Sequence, residues 1–256
     1  MAGGVPEKTW HAVDATIVFV DISGFTQLSE RLARSGRIGA EELTDTIDVC
    51  FAGLLEVAYA GGGSLLKFDG DALLLVFTDT DHLGRACRAA VGMRSALRRV
   101  GTMETSAGRV ELQMSVGIHR DTAHLFLVGG SHRELILTGP AATPTVAAES
   151  SAAAGEIVIS GTTAPALPPA SVGSPRGSGF LLLQAPDGPD DPISPGLRWT
   201  ATDLLPTIPL ALRGHAMAEQ HDAEHRRSPW LFFASRESTG FSVPKDPMQQ
   251  PLRPTT

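Results

Sequence analysis

Lysine is scarce in this 256-residue chain: Lys8, Lys67 and Lys245 stand against 18 arginines, and the formal net charge is -7. No clustered positive face is expected, which argues against nucleic acid as a partner. A nucleotide is still allowed, because its charge can be met locally by a metal, a helix terminus or one lysine. Cysteine is equally sparse. Cys50 and Cys87 both fall on apolar positions of predicted helices, the pattern of buried reduced thiols rather than a disulfide or metal site. No run approaches the roughly 18 apolar residues of a membrane span, and no basic start leads into a signal-peptide core. Neither a span nor secretion is expected, and a cytoplasmic location follows by default.

What is present is a 42% hydrophobic chain, enough for one well-buried domain with an extension. Residues 16–20, Thr-Ile-Val-Phe-Val, read as a short central strand ending at Asp21, with a helix starting near Phe25 or Thr26. Leu43, Ile47, Phe51, Leu54 and Ala58 recur in steps of three and four, marking an amphipathic helix over 40–59 that Gly61, Gly62 and Gly63 terminate. Strands at 64–69 and 72–77 then form a hairpin with Gly70 and Asp71 at its turn, followed by a helix at 81–98. Strands near 110–118, 123–128 and 133–138, a helix at 141–153 and a strand at 156–160 complete the order. This predicts an α+β fold, with a mostly antiparallel sheet and helices packed on one side.

Residues 1–11 read as a flexible N-terminus and 12–160 as the domain itself. Ten prolines between Thr162 and Pro209 mark 161–208 as a connector, with one edge strand near Phe180–Leu183. A helix and a strand-like run, Trp230–Ala234, are expected within 209–241, and the proline-rich 242–256 as a disordered tail. His119, His124 and His132 lack metal-site spacing. His221 and His225 are four apart but have no acidic companion motif.

The chemistry-bearing candidates are Asp21 and Asp71. Carboxylates at strand ends can converge on a hard cation, with Mg²⁺ expected beside substrate phosphates and Mn²⁺ as a substitute. Gly24, Phe25 and Thr26 would present helix-start amides to phosphate oxygens. The same residues also fit an ordinary helix cap and a Gly-Asp turn, so local chemistry leaves both readings open.

Two segments resemble a known family. Phe19-Val20-Asp21-Ile22-Ser23-Gly24-Phe25-Thr26 is similar to the first metal-binding motif of class III adenylyl and guanylyl cyclases. Leu66-Lys67-Phe68-Asp69-Gly70-Asp71-Ala72 is similar to the second. The resemblance spans roughly 12–160 and implies a ferredoxin-like cyclase fold in which two domains pair head to tail around ATP or GTP. It implies that Asp21 and Asp71, helped by the Ile22 carbonyl, hold the metal, and that Gly24–Thr26 cover the phosphates. Lys67 stands at the family's base-reading position; solvated strand cover, or pairing with Asp69, is its ordinary alternative.

The complementary half of such a site is degenerate. Anchored on Gly139, the base-reading polar position is Ile136, the catalytic Asn is Thr143 and the Arg is Ala147. No arginine occurs between Arg133 and Arg176 to replace it. The resemblance is therefore to the first cyclase domain of soluble, bicarbonate-responsive-type adenylyl cyclases and bacterial relatives. It implies a half-site needing a complementary domain; the alternative is a catalytically inactive nucleotide-binding or regulatory module. Glu224-His225-Arg226-Arg227 and Trp230–Ser235 resemble the linker and opening strand of a second such domain.

Overall fold

Strand β1 runs Trp10–Ser23, longer at both ends than its β-branched centre suggests. The extra length comes from its neighbour: the strand Gln113–Val128, β6, pairs with β1 in unbroken antiparallel register from Trp10↔Phe126 to Ser23↔Gln113. Ladder hydrogen bonding thus keeps the chain extended through polar positions that alternation alone leaves ambiguous. The same pairing merges two expected strands into β6, while residue 110 falls in a separate small ribbon, β4 (Thr102–Thr105) with β5 (Gly108–Glu111).

The computed structural model describes residues 10–106, 108–128 and 134–188. A second unit, His215–Thr256, lies wholly outside the described residues. So do the expected helix and strand of 209–241, the tail of 242–256, His132, and the histidines at 221 and 225.

Helices α1 (Phe25–Ala33) and α2 (Gly36–Ala60) follow β1, then hairpin β2 (Gly63–Asp69) and β3 (Ala72–Phe77), then α3 (His82–Val100). After β6 come β7 (Glu134–Thr138), α4 (Ala142–Glu149) and β8 (Ile157–Ser160). The sheet continues beyond residue 160 through β9 (Val172–Arg176) and β10 (Gly179–Leu182), where Leu167 and Leu182 enter the core. The strand expected near Phe180 is β10. Its partner β9 was hidden by the glycine and proline in Val-Gly-Ser-Pro-Arg.

Strand order is β2-β3-β1-β6-β8-β10-β9, with β7 pairing the far half of β6. Only β6–β8 is parallel among the described pairs, so the sheet is mostly antiparallel as expected. Val18, Val20 and Ile22 face α1–α3, meeting Leu54, Met93 and Leu97 in the main core. Each fully buried side chain of this size contributes about 2 kcal/mol. Cys50 and Cys87 lie buried on α2 and α3 with free thiols, and burial pushes the Cys87 thiol up to about 12. Alternate residues Ala15 and Ile17 face the other way, with Val76 and Ala123. The short helix α4 rests on that second face at Gly117, where an added Cβ would lie 2.3 Å from the Thr145 carbonyl oxygen and the Glu149 nitrogen. α4 ends earlier than its alanine-rich sequence suggests. Both the Ser151 and Ser178 hydroxyls donate to the Ala147 carbonyl, at 2.7 and 2.9 Å, as the chain turns away.

Candidate active site

Asp21 lies on β1 itself, not just past its end, paired on one side with Ala72 and on the other with Ser115. Its position in the alternation puts its side chain on the α4 face. Asp71 occupies the β2–β3 turn beside Gly70, whose φ of +64° is the left-handed backbone that glycine adopts freely. The Ile22 amide donates to the Asp71 carbonyl at 3.3 Å, tying the turn to β1 one residue beyond Asp21.

Gly24 has φ +93° and starts α1. The Glu111 carbonyl oxygen lies 3.3 Å from where its Cβ would be, so a larger residue would crowd that carbonyl as well as strain the backbone. No acidic residue sits in the first turn of α1, which leaves the positive end of the helix dipole uncompensated by its own side chains. Phe25 packs against the core and meets Phe51 at 6.5 Å, and Phe51 meets Phe68 edge-on at 5.5 Å. These rings brace the loop against β2. Thr26 donates its hydroxyl to Asp71 Oδ2 at 3.2 Å, a contact that spacing did not suggest.

The electrostatics of this corner are one-sided. Asp21 is raised from 3.8 to about 6, first by burial, then by the Asp71 charge, then by Glu149. Glu149, at the end of α4, accepts the Ser115 hydroxyl at 2.8 Å. Neither Ser115 nor Glu149 was identified from sequence, because only the β1–β6 register and the seating of α4 on Gly117 bring them to Asp21. Among the described residues, no group of three or more His, Cys, Asp or Glu side chains is assembled for a metal. The oxygen donors are the Asp21–Asp71 pair and neighbouring backbone. Hard carboxylate oxygens with unneutralised mutual repulsion are a donor set that a divalent cation fits.

Lys67 pairs with Glu134 rather than Asp69, Nζ to Oε1 at 3.4 Å, with both side chains about half exposed. Ile136 is exposed on β7 opposite Phe126. Thr143 is exposed and Ala147 half-buried on α4. The structure therefore brings Asp21, Asp71 and Thr26 together, and gives Lys67 an ionic partner of its own.

The chain belongs to the family described as the adenylate and guanylate cyclase catalytic domain, which matches residues 8–179. It is similar to adenylate cyclase 1 of Rhizobium meliloti, 31% identical over 124 residues that cover 47% of this chain and 18% of that protein. Human adenylate cyclase type 10 is 28% identical over 153 residues, 57% of this chain and 9% of that protein. The chain thus spans less than a fifth of these relatives' length. Among solved structures, the adenylyl cyclase CyaB from P. aeruginosa superposes with a TM-score of 0.55 at 22% identity, covering 68% of this chain and 96% of that one. The guanylyl cyclase Cya2 gives 0.55 at 26%, covering 67% and 92%. The mostly antiparallel sheet, with α1–α3 packed over one face and the short α4 on the other, is the class III cyclase fold. Among the described residues no helix is long and apolar enough to cross a membrane.

Proposed function

We propose that this domain is the metal-bearing half of a nucleotidyl cyclase site, converting ATP or GTP to cyclic nucleotide and pyrophosphate when a complementary domain docks head to tail. The carrying observation is the convergence of Asp21 and Asp71, with Asp21 raised to about 6 by burial and by neighbouring negative charge. Asp21, Asp71 and the Ile22 carbonyl would hold Mg²⁺, with Mn²⁺ able to replace it. When bound, the cation supplies charge neutralisation for the triphosphate and activation of the attacking ribose oxygen. Gly24–Thr26 lie at the start of α1, where main-chain amides suit phosphate oxygens. The Thr26 hydroxyl donates to Asp71 Oδ2, which links the start of α1 to this carboxylate.

Three side chains restrict what the domain can do unaided. Ile136 cannot hydrogen-bond a base, and Ala147 offers no charge to the transferring phosphoryl. Thr143 replaces an amide with a shorter hydroxyl. Losing a positioned charged group typically costs several kcal/mol of transition-state stabilisation, roughly 3 for one donor. Lys67 acts structurally, through Glu134. Similarity to two adenylate cyclases supports cyclase chemistry, and Ile136, Thr143 and Ala147 at the complementary positions support a first-domain role of the soluble, bicarbonate-responsive type.

The same three positions favour a second reading, an inactive nucleotide-binding or regulatory module, and one experiment separates the two. Cyclic AMP and cyclic GMP formation is measured with Mg²⁺ or Mn²⁺, for the chain alone and after adding an intact second-half cyclase domain. The half-site reading expects turnover in the mixture only, abolished by Asp21→Ala in this chain. Ordinary turnover by the chain alone, lost in Asp21→Ala, would overturn it. Metal-dependent nucleotide binding without turnover in the mixture would establish the regulatory module.

A further inference from the structure

Arg94 and Arg98 stand one turn apart on α3 and line a cavity of about 240 Å³ whose other walls include Glu111, Gln113 and Gly155. The cavity lies on the face of the sheet covered by α1–α3, bounded by Leu97, Leu112 and Met114, while Asp21 faces the opposite side, toward α4. A basic residue in the last turn of a helix has an ordinary explanation, since it meets the negative end of the dipole. That covers Arg98, which lies in the last turn of α3. It does not cover Arg94, which lies before it and is partly buried beneath β6.

Arg94 has few partners within the protein. A guanidinium carries five N–H donors and cannot be deprotonated in a protein. The one side-chain hydrogen bond Arg94 makes among the described residues is a long one, Nη1 to the Gly155 carbonyl at 3.4 Å. Neither Arg94 nor Arg98 is ion-paired with a carboxylate there, unlike Arg37, Arg88, Arg120 and Arg176. Burial first, and then the Arg98 charge, pull the Arg94 guanidinium below its ordinary value. The part-desolvated Arg94 charge is therefore held beside the like charge of exposed Arg98. The cavity's one acid, Glu111, is engaged by Gln113, whose Nε2 donates to Oε1 at 3.3 Å.

We propose that this cavity is a binding site for a small oxyanion of the phosphate or carboxylate class, held between the Arg94 and Arg98 guanidiniums. Planar N–H forks match the oxygens of such anions in pairs, where an ammonium would offer only a point charge. The ligand replaces the missing counter-charge between the two arginines, so binding stabilises the folded state by mass action. The backbone of Glu111, on the cavity wall, also abuts Gly24, which connects the site to the start of α1.

The test uses the full chain in EDTA without nucleotide, so that the aspartate pair takes no part. Inorganic phosphate, acetate and chloride are compared at matched ionic strength, by calorimetric titration and by thermal unfolding. Saturable phosphate or acetate binding is expected with one site per chain and a rise in Tm that chloride does not give. In Arg94→Gln and Arg98→Gln the affinity should fall at least tenfold, while Asp21→Ala should bind as the parent does. The acetate arm separates carboxylate from phosphate recognition. Exposed Arg98→Gln guards against a folding defect in Arg94→Gln, and far-ultraviolet circular dichroism checks both. Equal stabilisation by chloride, or unchanged binding in folded Arg98→Gln and Arg94→Gln, would overturn the proposal. Binding lost in folded Asp21→Ala would likewise overturn it, since Asp21 lies on the other face of the sheet.

Discussion

The Ile22 amide donates to the Asp71 carbonyl at 3.3 Å, so the turn of one hairpin is fastened to the strand that carries Asp21. The two carboxylates are brought together by main chain, which side-chain entropy does not loosen. Their repulsion is consequently built into the folded state. In the unfolded chain the two acids are fifty positions apart and largely screened from each other.

This predicts an unusual pH dependence. Folding raises the Asp21 carboxyl from 3.8 to about 6, so the folded state binds the proton more tightly than the unfolded chain does. That contribution is fully present below the unfolded value and is lost as pH rises through about 6. At full burial such a rise would be worth about 3 kcal/mol; Asp21 is only partly buried, and screening reduces it to about 1 kcal/mol. Asp21→Asn should therefore be more stable than the parent by about that amount at pH 7.5 without divalent metal, with the difference closing toward pH 4. Urea unfolding at several pH values checks it. Added Mg²⁺ should stabilise the parent and narrow the gap.

Glu149 provides a second, independent handle on the same group. Its charge is the smallest of the three causes raising Asp21, and its Oε1 is held by Ser115. Glu149→Gln keeps an oxygen acceptor for Ser115 while removing the charge. The Asp21 midpoint, followed by carboxyl carbon chemical shifts, should move down, and by less than in Asp71→Asn. An unmoved midpoint in Glu149→Gln would mean that burial and Asp71 act without it.

Much of this arrangement was legible in sequence, and the parts that were not have a common cause. Asp21, Gly24 and Asp71 could be read because local chemistry and motif resemblance act over a few residues. The long helices could be read because Leu43, Ile47, Phe51 and Leu54 keep helical spacing. The continuation of β1 past Asp21, the fusion of β6 across His119–Thr122 and the strand β9 could not. Each is extended because a partner strand satisfies its backbone, not because its own residues favour it. The same reason hid Ser115 and Glu149, which reach Asp21 only through pairing and helix seating. Lys67 has a plain lesson too: its partner, Glu134, lies on β7, far from the local acid Asp69.

His119 should impose the opposite slope to Asp21. It is buried, with Nδ1 against the Ser160 hydroxyl at 2.6 Å and the Thr163 hydroxyl at 3.1 Å. Nε2 has only Asp121 near, at 3.7 Å, too far for a hydrogen bond. Burial lowers its value below 6.5, partly offset by the Asp121 charge. The folded state then binds the proton less well, so stability is present above pH 6.5 and declines as pH falls through that value toward the lower folded one. His119→Gln should lose about 1 kcal/mol at pH 7.5 from disturbed hydrogen bonding, yet lose less than the parent on acidification to pH 5. Comparing the two in an Asp21→Asn background isolates this slope from the other.

Gly117 is where packing of α4 meets the chemistry of Asp21. An added Cβ would stand 2.3 Å from the Thr145 carbonyl oxygen and the Glu149 nitrogen, and both are main-chain atoms that no rotamer change can move. Gly117→Ala must lift α4 from the sheet, at an expected cost of about 2–3 kcal/mol in denaturant unfolding. Because that movement carries Glu149 away from Ser115, the Asp21 midpoint should also fall, linking a packing defect to a carboxyl titration. Gly53→Ala is the control: it lies inside α2 with nothing within 4 Å of the new Cβ. There the methyl should raise stability by about 0.5–1 kcal/mol through helix propensity and unfolded-chain entropy, leaving Asp21 unchanged. If Gly117→Ala proved as stable as the parent, α4 would not be seated tightly on the strand, and Glu149 could not be counted among the groups that raise Asp21.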